Sequence, residues 1–179
     1  NGAGRVAAGN TGLNCSSGDF LMFLDDDDYL FGDHIEMNVQ AIDDADFAYT
    51  YAWDLKTDII DTQKAEYREE GFEFSQYFTR DHSVERLKYE NFIPIQSALF
   101  RRGLYEQHGG FDTRLDMLED GNLWLRFSQT GTFKVVPKIT SAYRTPANEK
   151  KHQERRRLFD ASYSEVFEIN KKYWMSRTQ

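Results

Sequence analysis

The period of the apolar positions changes several times along the chain, and each change predicts an element. In residues 1–17, Val6, Ala7, Asn10 and Leu13 fall at helical spacing among small residues, predicting a short helix that ends near Ser16, Ser17 and Gly18. Residues 19–24 follow with a nearly continuous apolar run, the pattern of a central strand buried on both faces of a parallel or mixed sheet. Asp33, with Glu36 three positions on, offers an N-cap and a capping partner for a helix through about Ile42. The aromatic run 47–53 predicts the next strand, and 57–61 a short hairpin partner for it.

Residues 63–90 are polar with scattered aromatics, a variable excursion with short helices expected near 74–79 and 84–89 and no chemistry of its own. Beyond it, 97–101 reads as a strand, 102–108 as a helical turn, Gly109-Gly110 as a break and 118–130 as a helix. Two short strands, 132–136 and 139–143, are expected on either side of Pro137. A charged helix over 150–173 carries Leu158, Phe159, Tyr163, Val166, Phe167 and Ile169 on its apolar side. The alternation predicts an α/β fold, one mixed sheet flanked by helices. At 179 residues, with neither repeat nor linker, the chain reads as a single domain.

Composition narrows the function classes. The 22 basic and 30 acidic residues give a formal charge of −8, which repels a nucleic-acid backbone. An acidic cleft still accepts a phosphorylated ligand when a divalent cation lies between them. One cysteine, Cys15, excludes an intramolecular disulfide and suits a reducing, cytoplasmic compartment. No apolar run reaches the roughly 20 residues needed to span a bilayer. The basic run 150–157 offers a face for anionic lipid or an anionic acceptor, although a solvated helix face is its ordinary role.

The apolar run 19–24 leads directly into Asp25-Asp26-Asp27-Asp28. Four adjacent aspartates repel one another unless solvent or a cation relieves them. An isolated acidic run is usually a solvated turn, but ligands of open α/β sheets bind beyond the carboxyl ends of strands, where this one falls. Strand alternation points Asp25 and Asp27 the same way, and their hard oxygens suit Mg2+ or Mn2+. An EF-hand is excluded because residues 25–36 lack alternating oxygen ligands about a central glycine.

Two blocks resemble glycosyltransferase family 2. The first is Gly4-Arg5-Val6-Ala7-Ala8-Gly9-Asn10-Thr11-Gly12, then Gly18-Asp19 with its apolar strand, then Leu24-Asp25-Asp26-Asp27-Asp28. The second is Leu99-Phe100-Arg101-Arg102, Gly109-Gly110-Phe111-Asp112 and Leu118-Glu119-Asp120-Gly121-Asn122-Leu123-Trp124-Leu125-Arg126. The resemblance covers 4–144 and implies a partial GT-A (Rossmann-like) fold lacking the N-terminal βαβ nucleotide-binding unit. The family's opening apolar-Pro-x-Tyr-Asn strand and its Asp-Asp-Gly-Ser turn do not occur here, so a fragment of a longer protein is expected. Position 9 is Gly9 where family members often carry an arginine beside the diphosphate, which leaves Arg5 as the substitute candidate.

The resemblance implies an inverting transfer of a sugar from a nucleotide-diphosphate donor, such as a UDP-sugar, to a glycan, lipid-linked or protein-bound acceptor. Asp25, Asp26 and Asp27 would engage the metal and sugar diphosphate, with Asp27 the direct ligand and Asp28 a supporting turn residue. Asp120 matches the catalytic base, and Glu119 would orient it or meet the acceptor. Without that context an aspartate opening a helix is more often a cap. His152 lies where it could reach back as a third metal ligand; Trp124, between two leucines, reads as core. The enzyme would work in the cytoplasm, with possible contact at the inner membrane face. Two other classes compete: a non-catalytic glycan- or metal-binding module, and a nucleotidyltransferase, disfavoured because no Gly-rich activating loop is visible.

Overall fold

The computed structural model describes residues 4–61, 63–64, 66–76 and 78–175. In chain order the elements are α1 (Gly4–Cys15), β1 (Phe20–Met22), β2 (Tyr29–Leu30), α2 (His34–Ala41), β3 (Phe47–Asp61), β4 (Glu66–Glu73), α3 (Val84–Leu87), β5 (Ala98–Arg101), α4 (Arg102–His108), α5 (Glu119–Phe127), β6 (Phe133–Pro146) and α6 (Glu149–Met175). Among the described residues the strands form one mixed sheet in the order β1-β5-β3-β6-β2, and β4 pairs with β3 as a hairpin. The expected α/β architecture, a mixed sheet flanked by helices, is present. No described helix is long and apolar enough to cross a membrane.

The centre of the sheet is β3, not the run at 19–24. It pairs in parallel with β6 from Phe47 to Thr57 and antiparallel with β5 from Phe47 to Tyr49. Neighbours on both sides bury Phe47, Ala48, Tyr49 and Thr50. By contrast β1 pairs only with β5 among the described strands, Phe20 and Met22 are partly covered, and Leu24 remains 52% exposed. An apolar run reports that a segment can be buried; here the described neighbours cover it only in part.

Five further expectations need correction. Residues 57–61 do not turn back: they continue β3 outward, and the hairpin partner is β4, drawn from the excursion 63–90 in which no strand was expected. Pro137 does not separate two strands, because β6 runs through it with a register shift that passes from Val136 to Ile139 opposite Thr50 and Tyr51. A bulge tolerates the missing N–H. Asp33 precedes α2 but makes no capping bond, since its carboxylate pairs with Lys138 at 2.5 Å. Residues 74–79 form turns and bends where described, not a helix, and Leu158 on α6 is 60% exposed although its neighbours Phe159 and Val166 pack inward.

The main core lies between β3, β5 and α5. Phe47 stacks on Phe133 at 4.1 Å and meets Trp124 edge-on at 5.0 Å. Trp124 is fully buried, as expected, and its indole N–H donates to the Ile93 carbonyl at 3.2 Å. Every residue of α5 is buried. That burial fixes the direction in which its first turn, Glu119 and Asp120, faces.

Candidate active site

The acidic turn leaves β1 and is closed by a backbone bond from Asp28 N to Asp25 O at 3.2 Å. These residues lie in a turn beyond the strand, so strand alternation does not apply to them; Asp25 and Asp27 are half-buried, Asp26 is exposed, and Asp28 is buried. Asp28 accepts the backbone N–H of Arg144 at 3.0 Å, and the Arg144 side chain donates to the carbonyl of Asp27. Asp25, Asp27 and Asp28 can each offer a carboxylate oxygen within 4.8 Å of the others. Asp28 Oδ2 is buried without a hydrogen-bond partner. Three hard oxygens with one orphaned acceptor fit a small divalent cation such as Mg2+ or Mn2+.

The second acidic group arrives on α5. Leu118, the residue before the helix, adopts the left-handed conformation (φ 59°, ψ 23°) that non-glycine residues seldom occupy. This bend brings Glu119 and Asp120 into the first turn, where the positive end of the helix dipole favours carboxylates. Asp120 is 9% exposed and bonded to the Asn91 side chain.

Arg5, on the first turn of α1, joins the two groups. Its guanidinium lies 3.2 Å from Asp25 Oδ2 and 3.0 Å from Glu119 Oε1. The three residues line a cleft of about 410 Å3 with Gly9, Leu24 and Phe111. Gly9 is required there: a Cβ at this position would lie 2.4 Å from the Phe111 ring. Burial pushes the Tyr143 hydroxyl up to about 12, opposed by the Arg155 charge and aided by the charges of Asp120 and Asp28. From α6, Arg155 donates to the Tyr143 hydroxyl and lies over the rings of Tyr143 and Phe159 at 5.3 and 5.6 Å.

Burial governs the acids. It pushes Asp28 up to about 7, against the Arg144 bond and with help from the Asp27 and Asp25 charges. Asp25 is raised by burial and partly restored by Arg5. Glu119 rises through burial and then repulsion from Asp120, while Asp120 rises through burial against its bond from Asn91 and the Arg5 charge. Pairs of buried acids with perturbed affinities in one cleft are a recurring mark of acid–base sites.

Asp25, Glu119 and Arg5 thus line one cleft; Asp27 lies beside Asp25 in the turn and Asp120 next to Glu119 on α5, neither of them on the cleft's lining, and Asp26 is turned to solvent. His152 is half-buried on α6 with Nδ1 unpartnered, and it is not part of the carboxylate cluster. Arg126 neither pairs with an acid nor lines the cleft; it donates to Asn122 Oδ1 at 3.0 Å and to the His108 and Gly110 carbonyls that end α4. Asn91, Tyr143 and Arg144 escaped the sequence reading. The one available signal was a lone buried-type Arg inside the strand pattern before Pro146.

Comparison with known proteins bears on the family and the fold. The chain is 28% identical over 141 residues to the uncharacterized glycosyltransferase YwdF of Bacillus subtilis (strain 168), covering 79% of this chain and 50% of that protein. The S. aureus TarS 1-349 structure in complex with UDP-GlcNAc superposes with a TM-score of 0.62 at 15% identity, covering 99% of this chain and 54% of that one. The complex with UDP gives 0.60 at 16%, covering 92% and 49%. The fold is therefore that of the GT-A neighbours, and the chain spans about half the length of these relatives. The model of glycosyl transferase family 2 matches residues 1–109, a stretch that holds Arg5 and the acidic turn and ends before Asp120, and on that match the chain belongs to glycosyl transferase family 2.

Proposed function

We propose that the protein containing this chain is an inverting, cation-dependent glycosyltransferase that moves a sugar from a nucleotide diphosphate to a hydroxyl of a glycan or lipid-linked acceptor. The observation that carries the reading is Arg5, whose guanidinium bridges Asp25 and Glu119 and so places the acidic turn and the start of α5 at one cleft. A nucleotide-sugar donor is supported by the TarS complexes with UDP and UDP-GlcNAc.

In this reading Asp25 and Asp27, with Asp28 beneath them, hold Mg2+ or Mn2+, which when bound supplies Lewis-acid neutralisation of the departing diphosphate. Asp120 accepts the acceptor's proton as that oxygen attacks the anomeric carbon. The bond from that carbon to the diphosphate oxygen breaks on the opposite face, and its electron pair leaves with the diphosphate. Burial raises the proton affinity of Asp120 and makes it a better base than a solvated aspartate. Asn91 fixes its orientation, and Glu119 holds Arg5 over the cleft, ready to meet a phosphate oxygen. The cytoplasm, where nucleotide sugars are made, is the proposed place of work, with the basic face of α6 available to the inner membrane surface.

The test is turnover of UDP-sugars by the full-length protein with Mn2+. Asp120→Asn should lower kcat by about 10^2 to 10^4-fold with donor KM little changed, and Asp27→Ala should abolish metal-dependent turnover. Glycan binding without nucleotide binding would instead identify a non-catalytic module. Unchanged rates in both variants would defeat the assignment.

A further inference from the structure

Arg144 is 7% exposed, and every polar atom of its side chain is engaged. Nε donates to the carbonyl of Asp27, Nη1 to Thr57 Oγ1 at 3.0 Å, and Nη2 to the Tyr29 hydroxyl and to Glu69 Oε1 at 2.8 Å. The guanidinium carbon also lies 4.7 Å from the ring centroids of both Tyr29 and Tyr67. The same residue's backbone N–H holds Asp28 Oδ1 at 3.0 Å. One residue of β6 therefore gathers β2, β3 and β4 beneath the acidic turn.

This geometry has a specific consequence. A carbonyl bond at Asp27 restrains the peptide that sets where the Asp27 side chain points, and the bond to Asp28 fixes the next carboxylate. Four like charges in a row would otherwise spread apart. The guanidinium is itself held by Glu69 and Tyr67 of the β3–β4 hairpin, and Glu69 also accepts from the hydroxyl of Tyr29, the residue after Asp28, at 2.9 Å.

We propose that Arg144 is a positioning residue for the acidic turn and that the β3–β4 arm, through Glu69 and Tyr67, sets its position. The inference rests on the reading of Asp25 and Asp27 as cation-binding residues, and it adds that their competence depends on a hairpin outside the cleft. A lysine cannot replace the arginine, because an ammonium has neither the planar fork nor the stacking face needed to reach Asp27, Thr57, Tyr29 and Glu69 together.

The test is Mn2+ titration of the full-length protein, followed by electron paramagnetic resonance, with thermal melts to verify folding. Outer-sphere partners of metal ligands typically contribute tenfold or more in affinity, so Arg144→Lys should weaken Mn2+ binding by about tenfold despite keeping the charge. Glu69→Gln, on a partly exposed residue that the fold tolerates, should weaken it by about fivefold and does not depend on the arginine variant folding. Wild-type protein that binds Mn2+, with both variants within twofold of it, overturns the positioning role and leaves the cation site standing. Wild-type protein that binds no Mn2+ overturns the site and the positioning role together.

Discussion

Replacing Gly9 by alanine tests whether the contact between α1 and the Gly109-Gly110-Phe111 turn is as tight as the coordinates give. In an exposed helix, Gly→Ala gains about 1 kcal/mol. Here the new Cβ would fall 2.4 Å from Phe111 Cε2 and 2.8 Å from Cδ2, closer than real Cβ atoms come. The ring cannot swing away freely. It packs on Phe23 at 4.7 Å, and its backbone is held on both sides by Asn10, which donates to Phe111 O at 3.0 Å and accepts from Phe111 N at 2.7 Å. Overpacking of this kind costs about 1–3 kcal/mol, so Gly9→Ala should destabilise by about 1 kcal/mol net. Urea unfolding measures it, with a double-mutant cycle against Phe111→Leu, whose smaller side chain should absorb most of the penalty. A stabilised Gly9→Ala protein, or additive single and double variants, would refute the reasoning. The same clash applies to an arginine at position 9, and Arg5, one turn earlier on the same helix face, reaches the acids instead.

Other outcomes follow from the buried charges. Asp28 and Glu119 keep their protons in the folded protein at pH values where the unfolded chain has lost them, so the folded state binds more protons between about pH 4 and 7. Stability in EDTA should therefore fall as pH rises through that window and level off above it, and thermal melts would read the slope. Mn2+ requires the ionised carboxylates, so the rise in Tm that it produces should be larger at about pH 8 than at about pH 5.5. Arg126→Met should destabilise by about 3 kcal/mol in urea, because the His108 and Gly110 carbonyls and Asn122 lose one shared donor. Asn91→Ala should lower kcat of the proposed transfer by roughly tenfold with donor KM unchanged, since Asp120 loses its orienting bond and the donor loses nothing.

What was legible in the sequence was local. The glycine-punctuated helices α1 and α4 and the periodic α5 declare themselves within a few residues, whereas the separation of Asp25 and Asp27 from Asp26, expected from strand alternation, comes from a turn that follows the strand. The strand β4 was hidden for a physical reason: seven of its eight positions are exposed, so its charged sequence carries no burial pattern. Pro137 misled because a bulge, which depends on the partner strand, removes the need for its N–H. The central place of β3 was likewise set by pairing partners distant in the chain. Asn91 has no neighbouring signal at all and Arg144 only that of a lone arginine before Pro146, since each acts through a residue that only the fold brings near.

The charges around the cleft also restrict what can enter it. Asp25 and Glu119 line the cavity, with Asp28 and Asp120 buried close behind them, and Arg5 bridges the first two. A bare anion would meet repulsion as these acids ionise, and an apolar ligand would leave buried carboxylates unpaired, each at a cost of several kcal/mol. A bare divalent cation fits the acidic turn but leaves Arg5 to Glu119 and Asp25 as before. A cation that arrives with a diphosphate satisfies both sides: the metal takes the turn's oxygens, and phosphate oxygens offer the guanidinium an anionic partner in the same cleft. If the proposed function holds, competition between Asp25 and a phosphate for one arginine should make the donor and the cation bind cooperatively, and donor affinity measured with and without Mn2+ checks it.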